Sequence, residues 1–332
     1  MKKEDLRIVF LGTPEFAVES LDRIVREGYN VVGVVTMPDK IAGRGHKMIQ
    51  SAVKQYAVEH GLHLMQPEKL KAPEFVDELR SLNANLFVVI AFRMLPEVVW
   101  AMPELGTFNL HASLLPRYRG AAPINRAVMN GDAETGVTTF FLKRDIDTGD
   151  VLRQERIAIG PDENAGSVHD RLMALGAEVT LDTIAHIVAG DLKPVPQDQL
   201  LQGEEPTAAP KIFKETCLMD WTRTAAELHN HVRGLSPYPA AWTLLRASDG
   251  NGDTELMVFE TRLTEETTSL PAGSLLPDTR RMAAATADGR VLELVSVRAA
   301  GRKRMSGADF LRGARLAPGA SFVAPDKSTA TE

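Results

Sequence analysis

Through the first two hundred residues, short apolar, β-branched runs alternate with longer segments of helical period. Residues 7–11, 29–36, 86–91 and 107–110 read as strands, and the middle two are apolar enough to be covered on both faces. Residues 16–27 and 51–60 read as helices, each followed by a glycine, Gly28 or Gly61, suited to a helix C-terminus. Residues 73–82 and 121–130 are further helices. Strands alternating with helices build βαβ units, so the expected fold is α/β: a Rossmann-like, doubly wound, mostly parallel sheet. Ligands of such sheets bind beyond the carboxyl ends of the strands, so functional residues should follow strands.

The rhythm changes at residues 191–209, DLKPVPQDQLLQGEEPTAA, where three prolines, two glutamates and irregular apolar spacing mark a linker. Beyond it, residues 240–245, 255–259, 273–276 and 291–297 are short runs separated by Gly, Asp and Asn, the spacing of a smaller β-barrel (OB-like) C-terminal domain. The expected division is therefore a domain at 1–190, a linker at 191–209, a β-rich domain at 210–325 and a disordered tail at 326–332. Two domains are also the default for 332 residues.

Composition narrows the chemistry. Hydrophobic residues at 44% and charged ones at 25% are ordinary globular values and make disorder or fibrous repetition poor explanations for most of the chain. Cys217 is the only cysteine, which excludes an intrachain disulfide and a cysteine-based zinc site. The apolar run at 7–12 is too short for a signal-peptide core, and no segment reaches roughly 18 uninterrupted apolar residues. A cytoplasmic protein with no membrane partner is expected.

The net charge of −6 argues at first against a polyanionic partner. The average conceals a gradient: residues 1–208 hold 22 Lys+Arg against 29 Asp+Glu, a net of −7, whereas residues 209–332 hold 16 against 15, a net of +1. Within the second part, Arg298, Arg302, Lys303, Arg304, Arg312 and Arg315 stand against Asp309 alone over 18 residues, a local +5. Such a stretch is either a solvated face or a phosphate-binding one.

Residues that could carry chemistry concentrate in 108–150. Asn109 and His111 are two apart at the end of an expected strand, so both project to one side, and the following Ser113-Leu114-Leu115-Pro116 turns the chain away. A carboxamide beside an imidazole can stabilise an oxyanion and move protons; His111 alone could equally be a structural histidine. Downstream, Arg144-Asp145-Ile146-Asp147-Thr148-Gly149-Asp150 packs three carboxylates into six residues. Turn chemistry explains such a run, and it lacks the later Glu of an EF-hand. One of these carboxylates beside His111 would orient the ring and stabilise its charged form; the spacing leaves open which one.

Other candidates fall away. Gly12-Thr13-Pro14-Glu15-Phe16 follows the first strand but lacks the later glycines of a dinucleotide fingerprint, which disfavours a nicotinamide enzyme. Ala42-Gly43-Arg44-Gly45-His46-Lys47 is too short for a P-loop and reads as a mobile basic finger. His229-Asn230-His231 points to different faces of a helix and reads as surface histidines rather than a metal pair.

FLGTPEFA at 10–17, PDKIAGRGHK at 38–47, FNLHASLLPRYRGAAPI at 108–124 and DIDTGD at 145–150 together resemble the methionyl-tRNA formyltransferases, within the folate-dependent formyltransferases. The likeness continues through APKI at 209–212, Asp220-Trp221 and RGLSP at 233–237, nearly the whole chain in order. It implies transfer of a formyl group from 10-formyltetrahydrofolate, as cosubstrate, to the α-amino group of initiator methionyl-tRNA, with no metal, in translation initiation. It places the family's catalytic residues on Asn109, His111 and Asp147. Its folate-contacting segment falls on Ser113, Leu114, Leu115 and Pro116, and its acceptor-stem finger on Arg44 and Lys47. The tRNA-binding barrel falls on the basic C-terminal domain with Arg302, Lys303 and Arg304. Phe92-Arg93 stands where many members have Tyr-Gly, a change in the wall of the folate pocket, and Ala208 stands where an aromatic residue is common.

The resemblance suits direct transfer: an α-amine with a reference pKa of ~7.7–8.0 is partly unprotonated at neutral pH and needs no strong base. His111 would shuttle the proton between nitrogens, Asp147 would orient it, and Asn109 with His111 would serve the oxyanion. A formyltransferase for a small amine would have no use for the basic C-terminal half or the Arg44 finger, and a tRNA-binding module without chemistry would not need the three reactive residues. A monomer is expected, as no apolar heptad is evident.

Overall fold

The computed structural model describes residues 1–42, 47–201, 203, 205–247, 253–278, 280–314, 316 and 319–324. Arg44, Arg315 and the tail at 326–332 lie outside them. The chain divides into two compact units, one of Met1–Pro123, Thr135–Ile157 and His169–Ala209, the other of Ile124–Glu134, Ala158–Val168 and Pro210–Glu332.

As far as Ala209 the elements are β1 (Arg7–Gly12), α1 (Glu15–Arg26), β2 (Asn30–Val35), β3 (Lys40–Ala42), β4 (Lys47–Ile49), α2 (Ala52–Glu59), β5 (Leu64–Met65), α3 (Pro73–Ser81), β6 (Leu86–Ile90), α4 (Glu97–Trp100), β7 (Thr107–His111), β8 (Arg119–Gly120), α5 (Pro123–Met129), β9 (Glu134–Phe141), β10 (Val151–Ala158), α6 (Ala165–Ala189) and β11 (Ala208–Ala209). The main sheet runs β5-β2-β1-β6-β7-β9-β10. β5, β2, β1, β6 and β7 are parallel, and β9 runs antiparallel to β7. All five residues of β6 are buried, as a central parallel strand covered on both faces requires. Phe16, Ala17, Leu21 and Ile24 make the buried stripe of α1, the 3.6-residue period that marked this segment as a helix.

The sequence reading assigned no helix to α6, the longest at 25 residues. Its small and apolar residues recur without a clear polar face, so no single stripe announces it, and by length and composition it could cross a membrane. It lies against the sheet. A Cβ at Gly176 would meet Leu110 of β7 at 2.7 Å, and the Thr183 and Thr139 hydroxyls hydrogen-bond at 2.7 Å.

The 191–209 segment is not featureless. Val195 bridges Val151, a 3₁₀ turn spans Gln197–Leu200, and β11 pairs in parallel with β8, Ala208 opposite Arg119 and Ala209 opposite Gly120.

The second unit holds α7 (Ala225–Leu235), β12 (Ala241–Arg246), β13 (Asp253–Thr267), β14 (Ala283–Ala285), β15 (Arg290–Ala299), β16 (Met305–Ser306), α8 (Gly307–Ala314) and β17 (Ser321–Val323). Its strands run β14-β15-β13-β12-β17, with β16 on β15. Bridges from Ser274 to Ser321 and from Leu275 to Ala284 join the two edges, so the antiparallel sheet is a nearly closed barrel. Trp221 stacks on Phe322 at 4.8 Å in its core, with the indole N–H donated to Thr243 Oγ1 at 2.9 Å. A capping box between Thr224 and Glu227 starts α7, which buries Leu228, Val232 and Leu235.

The histidines of α7 correct the sequence reading. His229 and His231 are only 4% and 8% exposed, because α7 is covered on more than one side. His229 Nδ1 meets Thr261 Oγ1 at 3.0 Å, whereas His231 interacts with the Cys217 backbone and its Nε2 has no partner among the described residues. They do point apart, but into protein rather than solvent.

Candidate active site

β7 ends the parallel part of the sheet, and its alternation decides which side chains reach the carboxyl edge. Phe108 and Leu110 are buried, while Asn109 and His111 project from the opposite face. Asn109 is half-buried and its carboxamide makes no hydrogen bond among the described residues. His111 lies one pleat further along, packed edge-on to Phe140 at 6.4 Å.

The loop after β7 curls back on His111. Its Nε2 lies 2.8 Å from the Tyr118 carbonyl oxygen. A carbonyl only accepts, so Nε2 carries a proton, and in the neutral ring Nδ1 is then the bare nitrogen. Nδ1 faces Asp147 Oδ2 at 3.9 Å, and the two side chains are 8% and 14% exposed. Of the three clustered carboxylates, Asp150 is drawn off to Lys143 at 2.8 Å and Asp145 is exposed, so Asp147 is the one facing the ring.

Asp147 is fixed from two sides. Its Oδ2 accepts the Gly120 N–H at 3.0 Å, and its own carbonyl accepts from Gln197 Nε2 at 2.9 Å. Asp147 and Tyr118 have φ of 54° and 62°, left-handed conformations that cost on the order of 1–3 kcal/mol each and need their surroundings to hold them. Gly120, at φ 127°, runs so close to β11 that a Cβ would sit 2.6 Å from the Ala209 oxygen.

The segment Ser113, Leu114, Leu115 and Pro116 is tied to the sheet through Thr138. Thr138 Oγ1 donates to the Ser113 oxygen at 2.6 Å and accepts from Leu115 N at 3.1 Å and Gln154 Nε2 at 2.9 Å. Ser113 is fully buried with its hydroxyl donated to the Arg117 oxygen at 2.6 Å, and Leu115 packs with Phe140 and Val151. The side chains of Ser113 and Leu115 are thus spent inside the protein. At the carboxyl end of β6, Arg93 donates to the Pro67 and Glu68 carbonyls, and burial pulls its pKa down.

The structure brings Asn109, His111 and Asp147 to one end of the sheet. Of the tRNA-binding candidates, Arg302, Lys303 and Arg304 belong to the second unit. Arg44 falls outside the described residues, and Lys47 opens β4. Arg302, Lys303 and Arg304 are exposed around the turn between β15 and β16. The local excess of positive charge is smaller than the linear count, because Arg304 comes within 4.0 Å of Glu260 on the neighbouring β13. Counting along a chain misses partners across a sheet. Arg298 and Arg304 also lie over the Phe259 ring, at 5.4 and 4.7 Å.

Sequence reasoning missed Tyr118, Gly120 and Gln197 as the residues that hold the histidine and the aspartate. The first two act through backbone groups, and Gln197 lies 50 residues from Asp147, so no local signal could have found them.

Residues 6–184 match the family model for formyl transferase, and residues 211–315 that for the formyl transferase C-terminal domain. The methionyl-tRNA formyltransferase of Bacteroides fragilis is 52% identical over 316 residues, covering 95% of this chain and 97% of that one. That of Phocaeicola vulgatus is 54% identical over 317 residues, covering 95% and 98%. The N-formyltransferase of Helicobacter canadensis, solved with folinic acid and dTDP-3-aminofucose, shares the fold, with a TM-score of 0.63 over 87% of this chain and 98% of that one at 17% identity. With two family models in tandem and half of all residues shared along its length, the chain belongs to the methionyl-tRNA formyltransferase family.

Proposed function

We propose that this enzyme, working in the cytoplasm, transfers the formyl group of 10-formyltetrahydrofolate to the α-amino group of initiator methionyl-tRNA by direct attack of the amine. The observation that carries this reading is His111, whose Nε2–H is tied to the Tyr118 carbonyl while its bare Nδ1 faces Asp147 beside the unpartnered Asn109 carboxamide. Such a set suits a carbonyl that must be polarised and a proton that must be moved.

10-Formyltetrahydrofolate supplies the one-carbon unit. Asn109 offers its amide N–H to the formyl oxygen as that oxygen gains negative charge, a donor worth about 100 to 1,000-fold in rate. His111 takes the proton of the attacking nitrogen at Nδ1 and returns it to the departing folate nitrogen, worth roughly 100 to 10,000-fold. Once protonated, Nδ1–H also serves the oxyanion. Asp147 stabilises the imidazolium without itself taking the proton. The 113–116 segment would hold the folate by backbone groups and by half-buried Leu114, since Ser113 and Leu115 are committed internally. The finger with Arg44 and Lys47, and the turn with Arg302, Lys303 and Arg304, would meet tRNA phosphates.

The test is to incubate the protein with 10-formyltetrahydrofolate and methionyl-tRNA and to measure blocking of the amine. Asn109→Ala and His111→Ala should lower kcat by the factors above while tRNA affinity is kept. Full activity in His111→Ala would overturn the proton-shuttle role.

A further inference from the structure

Gln197 lies in the segment whose composition suggested a mere linker, yet it is 3% exposed. Every polar atom of its carboxamide is engaged with the loops around His111. Nε2 donates to the Asp147 oxygen at 2.9 Å and to the Gly149 oxygen at 2.8 Å. Oε1 accepts from Arg119 Nε at 3.0 Å and Nη2 at 2.8 Å. Arg119 directly precedes Gly120, whose N–H holds the Asp147 carboxylate. One side chain thus ties together both loops that aim Asp147, the one carrying its backbone and the one carrying its hydrogen-bond donor.

The geometry explains why a glutamine is needed there. Two carbonyl oxygens must be met by a donor and a guanidinium by an acceptor, at one carboxamide. Asp147 sits in a left-handed conformation, and Gly149 passes so near the Phe141 oxygen that a Cβ would lie 1.6 Å from it, so the loop has no spare room in which to settle otherwise. The Val195 to Val151 bridge and the 3₁₀ turn Gln197–Leu200 bring the glutamine to the loop from a distance in sequence.

We propose that Gln197 is a positioning residue for formyl transfer: it acts through Asp147, keeping that carboxylate beside His111, and touches neither substrate. This rests on the catalytic reading above. Gln197→Ala should lower kcat by roughly tenfold to a hundredfold, the cost of displacing a catalytic group by about 1 Å, and should leave KM for both substrates within about twofold. Gln197→Glu is the same size and keeps the Arg119 contact, but it presents a carboxylate to two carbonyls. It should fold and show a similar kcat loss.

The decisive measurement repeats Gln197→Ala in an Asp147→Asn background, where a residue acting through the Asp147 carboxylate has little left to lose. A loss that shrinks to within about twofold supports the proposal. An equal loss in both backgrounds, a loss confined to KM, or unchanged kcat in both single variants overturns it. Absence of formyl transfer by the parent protein would instead overturn the catalytic reading and this one together, and is read before any variant is compared.

Discussion

Asp147 shows how much of a site can depend on an atom outside any side chain. Its carboxylate is held by the Gly120 N–H, and Gly120 can be there because it lacks a Cβ and accepts φ 127°. Gly120→Ala should therefore act as a functional change at a distance, pushing β8 off β11 and removing the donor at Asp147. The expected outcome is a kcat loss on the order of tenfold to a hundredfold with tRNA affinity kept, checked by steady-state kinetics beside a direct tRNA-binding measurement. Unchanged kcat would mean that the carboxylate needs no such anchor. That Asn109 and His111 project to the same side was legible from the two-residue period of a strand. The choice among three aspartates was not, because it depends on which one the loop turns inward and which one Lys143 draws off.

Among the elements, α7 carries the clearest consequence for stability. Burial lowers the pKa of His231, with the Arg223 and Arg126 charges adding to the effect and the Cys217 backbone and Asp220 opposing it. The folded value lies below the ordinary 6.5, so folding favours the neutral ring. Its contribution is fully present above the unfolded pKa and is lost as pH falls below about 6.5 toward the folded value. Thermal unfolding should accordingly show a Tm that declines from pH 7.5 to pH 5.5, and His231→Phe should flatten that decline; an equal slope in both proteins would assign the effect elsewhere. His229 is lowered in the same direction, but the Pro161 carbonyl and Asp162 oppose it. The sequence placed these histidines on separate helix faces correctly and their exposure wrongly. Amphipathic reasoning assumes one wet face, which a helix embedded beside a barrel need not have.

For the molecule taken together, a net charge of −6 must be reconciled with a polyanionic substrate. Local basic turns can do this, since phosphate contacts act within about a Debye length of ~8–10 Å. Arg302 and Lys303 are exposed at the turn between β15 and β16, while Arg304 is drawn toward Glu260 and Phe259. Arg302→Ala and Lys303→Ala should each reduce the slope of log tRNA affinity against log salt by about 1, leaving kcat unchanged, whereas Arg304→Ala should change it less. Filter binding over a salt series measures this, and slopes indistinguishable from the parent protein would remove the turn from the tRNA interface.

Local periodicity was enough to announce a parallel sheet flanked by helices and a later β-rich domain, because strand and helix patterns are written in neighbouring residues. It also put Asn109 and His111 on one face. It could not reveal α6, whose residues are apolar on too many sides to show a stripe, nor the closing of the barrel through Ser274 and Leu275. Nor could it join Gln197 to Asp147, or Ala209 to Gly120. Those contacts connect parts of the chain far apart in order, and only three-dimensional packing brings such groups within reach of a hydrogen bond.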